Sequence, residues 1–377
     1  MELLRTSPAI TRAVARFTLA AALCAFAASL GCVTSHTTTP YRVDVMGGVG
    51  RAAVVTPQPP PPPPPEVTPV PGKGFSTYDV VKLYRPEPCG GEGTAALGAI
   101  AYLNRTPGPK HWVVVLPIWG SSTYPPWKLV SWFTHGEHRG STNVLWVQNP
   151  GKPRLMDYPA MEAATTVPQF MTALERSAAC IQAASDDIRT WVSWIREQPD
   201  TDPRRIGIAG CSIGAIVASL TMGRDPRLSA GAFAMGGGRL DEILASCYGE
   251  EAKVREVARE RFGWDDAAFL NAVREPLAPV DPVKFAGNID PAAVLFIDAG
   301  HDTCIPKSAR DDLWEAMGRP ERITLGYSHR NSFLTMTFLG FDRTTERIVS
   351  FLDARLHGPM DLTAGHSQSK AESAQPQ

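Results

Sequence analysis

The stretch Gly210-Cys211-Ser212-Ile213-Gly214 constrains the fold of this chain more than any other. An apolar run, Arg205-Ile206-Gly207-Ile208-Ala209, leads into it, and the helical-looking Ala215-Ile216-Val217-Ala218-Ser219-Leu220 follows. A strand that turns directly into a helix brings the two backbones too close for a Cβ, so glycine flanks the turn. Such a turn holds its central serine in a strained conformation and lifts Oγ above the sheet edge. The start of the helix points free N–H groups at the same place.

Two later segments share that geometry. Ala293-Val294-Leu295-Phe296-Ile297 reads as a buried parallel strand and ends in Asp298-Ala299-Gly300-His301-Asp302-Thr303-Cys304-Ile305-Pro306. A helical segment, Ser308 to Met317, precedes a further strand, Arg322 to Tyr327, which ends at Ser328-His329-Arg330. A serine, a carboxylate and a histidine thus each lie just past the C-terminal end of a strand, the edge where open parallel sheets carry their chemistry.

The chain order Ser212, Asp302, His329 resembles that of the α/β-hydrolase superfamily. It is similar in particular to bacterial esterase-like members, which read D-P-x-R-I-G ahead of the serine turn. Here that stretch is Asp202-Pro203-Arg204-Arg205-Ile206-Gly207. Gly300-x-Asp302-x-x-x-Pro306 resembles the superfamily's acid loop, and the resemblance covers residues 78 to 357. It implies an α/β fold with a mostly parallel sheet covered by helices on both faces. It further implies a cap-like helical insertion at about 239–289 and a serine hydrolase without a cofactor.

The chemistry requires these residue types. A serine hydroxyl needs an adjacent base to attack a carbonyl at neutral pH. His329 would take the Ser212 proton and return it to the leaving group, while Asp302 orients the imidazole. Two backbone N–H groups must hold the oxyanion, each contributing about 3 kcal/mol. The first is expected at Ile213. The second is expected in the loop after the strand His111 to Leu116, where Pro117 has no N–H. Ile118 is then the expected donor, with Trp119 next. His301 as base, and Asp298 or Asp241 as acid, are the competing assignments. Cys211 reads as a small buried residue, and His111, His135 and His138 read as surface residues.

The N-terminus carries an export signature. Arg5, Arg12 and Arg16 precede the apolar stretch Phe17 to Leu30, too short to span a bilayer. Ser29-Leu30-Gly31-Cys32 resembles a bacterial lipobox, which makes Cys32 the expected lipidation site and residues 1–31 the signal peptide. Cleavage after Ala27 is the alternative. Residues 32–77 contain the run Pro59 to Pro65 and read as an extended, disordered tether. The hydrolase domain would occupy 78–357, followed by a disordered tail at 358–377. Together these predict an exported bacterial envelope protein, either a membrane-anchored lipoprotein or a periplasmic or secreted one.

Net charge is −1 with no basic stripe, which gives no support to nucleic-acid binding. Without CxxC or HExxH, no metal is expected. The chain has 7 cysteines; Cys89 with Cys180 or with Cys247 are the expected disulfides. Val81–Tyr84 and Leu97–Leu103 read as a leading antiparallel pair, Trp127–Phe133 and Val167–Gln198 as helices, Asn143–Gln148 as a strand, and Thr344–Leu356 as the closing helix. Trp119, Tyr124, Trp127, Tyr248, Phe262 and Trp264 either line an apolar pocket or belong to the core. The expected substrate is a small-molecule or lipid ester; acyl transfer, peptide hydrolysis, or a non-catalytic envelope-binding role on the same fold are the alternatives, and nothing in the sequence fixes the oligomeric state.

Overall fold

The computed structural model describes residues 68–71, 78–86, 95–118, 126–135, 142–148, 155–336 and 343–357. The expected signal peptide, Cys32, most of the expected tether, Cys89, Trp119, Tyr124, His138 and the expected tail lie outside them.

Among the described residues nine strands form one sheet: β1 Thr68–Pro71, β2 Tyr78–Pro86, β3 Ala95–Asn104, β4 Lys110–Val115, β5 Thr142–Val147, β6 Thr201–Cys211, β7 Ala230–Ala234, β8 Val294–Ala299 and β9 Glu321–Leu325. Their spatial order is β1-β2-β3-β5-β4-β6-β7-β8-β9. From β5 to β9 all neighbours are parallel. β1, β2 and β3 add an antiparallel flank. The leading pair falls where the sequence places it. β1 is a departure, since it lies inside the stretch expected to be disordered tether. Its two prolines are tolerated because it is the edge strand.

The central strands are buried on both faces, as their unbroken apolar runs require. Along β4 the pleat sends Val113 and Val115 into one layer and Trp112 and Val114 into the other. The first layer is covered by α1 (Pro126–His135) and α11 (Thr344–His357), through residues such as Phe133, Ile348 and Leu352. The second is covered by α3 (Val167–Arg196), α4 (Ile213–Arg224) and α9 (Lys307–Ala316), through Trp191, Val192, Val217 and Leu313. A short α2 (Tyr158–Ala163) precedes α3. A capping box of Thr166 and Gln169, with proline in the first turn, starts the 30-residue α3.

The insertion between β7 and β8 is helical: α5 (Leu240–Ser246), α6 (Glu250–Phe262), α7 (Asp266–Leu277) and α8 (Val283–Ala286). It closes a third apolar cluster, in which Leu240, Leu244, Val254, Phe269 and Val273 pack on Phe170, Leu174, Ile181, Ile216 and Leu220. Between β9 and α11 lies the six-residue α10 (His329–Leu334).

Candidate active site

β6 runs into α4 through Ser212, whose φ of 55° and ψ of −125° place it in the left-handed half of the map. A non-glycine residue held there costs about 1–3 kcal/mol, a strain that persists only where surroundings impose it. The surroundings here are backbone. A Cβ on Gly210 would overlap the Gly214 carbonyl, and one on Gly214 would overlap the Pro117 carbonyl. The Ser212 N–H donates to the Ala234 carbonyl at 2.8 Å, which ties the turn to β7. The same crowding at Gly214 shows that the loop after β4 passes over the start of α4.

Ser212 Oγ lies 3.0 Å from His329 Nε2, and His329 Nδ1 lies 2.6 Å from Asp302 Oδ2. His329 opens α10, whose N-cap is Ser328. The Asp302 side chain is fully buried. Its Oδ1 accepts from the backbone N–H groups of Cys304 and Ile305, both at 2.9 Å. Two main-chain donors and the imidazole thus fix the carboxylate in one orientation. The structure brings Ser212, His329 and Asp302 together over 117 and 27 residues of separation. An imidazole held this way can accept the serine proton and be stabilised while it carries it.

The competing residues have other partners. Asp298 is buried against Arg310 and Arg322. Asp241 pairs with Arg239 and Arg274. His301 is exposed, and its N–H donates to the Tyr327 carbonyl. Cys211 is buried, and desolvation pushes its thiol up to about 12. His111 contradicts the surface reading: it is 2% exposed, with Nε2 2.7 Å from the Thr142 hydroxyl. Burial first, then the neighbouring His357, Arg205 and Lys110, push its pKa down to about 3, so the ring is neutral.

One of the two expected disulfides is overturned. Cys247 pairs with Cys304, which excludes Cys247 with Cys89. Cys180 is itself disulfide-bonded. No spacing signal selected Cys247 with Cys304, which are 57 residues apart.

Ser212 opens onto a cavity of about 90 Å³ walled by apolar side chains, among them Ile181, Ile216, Leu244, Leu277 and Ile305. Tyr158 and Glu251, 2.6 Å apart, line it as well. None of these was singled out in the sequence, because the wall is assembled from separate elements. Of the aromatic candidates, Phe262 and Trp264 pack on Phe170 in the third cluster, and Trp127 packs on Trp146. Tyr248 is half exposed, and its phenol is raised by desolvation and then by the Asp302 carboxylate.

No protein-family model matches the chain, and no curated protein does. Solved structures do match. The acetyl xylan esterase from Paenibacillus sp. R4 superposes with a TM-score of 0.57 at 17% identity, over 77% of this chain and 88% of that one. Acetyl xylan esterase 1 from Thermoanaerobacterium sp. JW/SL YS485 gives 0.52 at 15% identity, over 76% and 88%. With the parallel sheet, its helical layers and the serine turn at the end of β6, these similarities establish that the chain has the α/β-hydrolase fold.

Proposed function

We propose that this protein is a serine hydrolase that cleaves a carboxylic ester of a short acyl group through an acyl-enzyme on Ser212. The observation that carries the reading is the continuous hydrogen-bonded line from Ser212 Oγ through His329 to the buried Asp302. His329 Nε2 removes the serine proton as Oγ attacks the ester carbon. The oxyanion is held by the Ile213 N–H, at the start of α4, and by the Ile118 N–H from the loop that Gly214 supports. His329 then protonates the departing alcohol, and water repeats the cycle on the acyl-enzyme.

The acyl group occupies the apolar cavity beside Ser212. An engineered apolar cavity of about 150 Å³ accepts a benzene ring. At about 90 Å³ this one suits a short aliphatic acyl chain. The acetyl esters for which both structural neighbours are named fall within that size. The N-terminal signal, Cys32 and the proline run support export and attachment to a membrane through lipid, with the substrate outside the cytoplasm. Among the described residues no helix is long and apolar enough to cross a membrane.

The test is labelling with a fluorophosphonate probe. Stoichiometric labelling of the wild type is expected, lost in Ser212→Ala and strongly slowed in His329→Ala and Asp302→Asn. A folded wild type that takes no label, and hydrolyses no p-nitrophenyl ester, refutes the proposal.

A further inference from the structure

At the opposite edge of the sheet from Ser212, His111, Asp353 and His357 converge. His111 is the second residue of β4 and Asp353 and His357 lie in the last turns of α11. Asp353 and His357 are four residues apart and so share one helix face. One ligand atom from each of the three lies within 4.8 Å of the others. The two imidazoles meet edge to face, with ring centroids 4.0 Å apart. We infer that these three residues form a binding site for a divalent transition ion, zinc by the chemistry of its donors.

Two imidazoles and a carboxylate are a donor set that zinc takes in three-ligand sites, with water in the fourth position. Ligand atoms about 2.1 Å from one tetrahedral ion stand about 3.4 Å apart. His357 Nδ1 and Asp353 Oδ1 already meet at 2.6 Å; an ion would part this pair, and rotation of the exposed His357 supplies the room. An outer partner is already in place. The Thr142 hydroxyl holds His111 Nε2, which fixes the ring and leaves Nδ1 to face an ion. The nearby cations are engaged elsewhere. Lys110 Nζ donates to the Pro107 and Gly108 carbonyls, and Arg205 pairs with Asp202 at 3.2 Å. An ion here would pin α11 to β4 and would be remote from the reacting atoms. Its effect is on stability, because α11 supplies Ile348, Val349, Leu352 and Leu356 to the core.

The experiment titrates the chelator-stripped full chain with zinc by calorimetry and with cobalt(II) by visible absorption. One ion per chain is expected, with tetrahedral cobalt bands and a Tm that rises with zinc. Asp353→Asn and His357→Ala should each weaken zinc binding by at least about tenfold, the scale on which even outer partners act. Both should hydrolyse p-nitrophenyl acetate as the wild type does. His357→Cys should retain the ion and add a thiolate-to-cobalt charge-transfer band. Failure of the folded wild type to take up zinc, or uptake unchanged in both weakening variants, overturns the assignment.

Discussion

Leu244→Ala should lengthen the acyl chain that the enzyme accepts. Leu244 lies near the end of α5, is 2% exposed and lines the cavity beside Ser212. Truncation removes three carbons from the wall. A longer acyl chain can refill that space, and each buried methylene contributes about 0.8 kcal/mol, or about 2.4 kcal/mol in all. At about 1.4 kcal/mol per tenfold, the ratio of kcat/KM for hexanoate to that for acetate should rise by up to about 50-fold. The gain is realised only if the acyl chain, not the alcohol, fills the cavity. The assay is a p-nitrophenyl ester series from acetate to octanoate, in which the leaving group is constant. Leu244→Ala will also cost about 2–5 kcal/mol of stability, so the variant must be shown to be folded under assay conditions. Val254→Ala is the control: Val254 is buried in the same cluster but does not line the cavity. A ratio that moves less than about threefold in Leu244→Ala, or as much in Val254→Ala, refutes the assignment of this space to the acyl group.

Gly214→Ala should push the Pro117 carbonyl, and with it the proposed Ile118 donor, outward, costing about 1–3 kcal/mol of stability. A displacement of that kind should lower kcat on the order of 100-fold; unchanged kcat would remove Ile118 from the oxyanion site. Replacing both Cys247 and Cys304 by serine opens a crosslink spanning 57 residues. In the chain-entropy model that costs about 4 kcal/mol, measurable by urea unfolding, and less than about 1 kcal/mol would mean the loop is ordered without it. Cys211 should resist thiol reagents at pH 8 in the native protein and react only on unfolding. Its folded pKa of about 12 lies above the unfolded 9.0, so its contribution to stability is complete below pH 9 and lost as pH rises toward 12. Rapid native-state labelling would contradict that burial.

The serine turn, the parallel strands and the three converging side chains were legible for one reason. Buried parallel strands are continuous apolar runs, and their C-terminal ends share one edge whatever connects them. The hidden features depend on contacts that no local pattern encodes. β1 carries two prolines and is a strand only because it is an edge. α2 and α10 have six residues each, too few to show a helical period. His111 looked exposed because it precedes an apolar run, yet α11, more than 230 residues later, covers it. The cavity wall joins Tyr158, Ile181, Ile216, Leu244 and Leu277, each of which reads locally as an ordinary core position.

The acid loop couples the chemistry to the insertion. The N–H groups of Cys304 and Ile305 orient Asp302, and both residues also line the cavity. The Cys304 sulfur is bonded to Cys247 at the end of α5. Ile305 packs against Gly237, where a Cβ would come within 2.6 Å of its side chain. α5 therefore cannot swing away as a lid without pulling on the loop that aims the carboxylate. On the other side, Tyr158 and Glu251 join α2 to α6 by a 2.6 Å hydrogen bond. With both ends tied, the insertion acts as a fixed wall. On the proposed reading, selection among substrates then rests on the side chains lining about 90 Å³ of space.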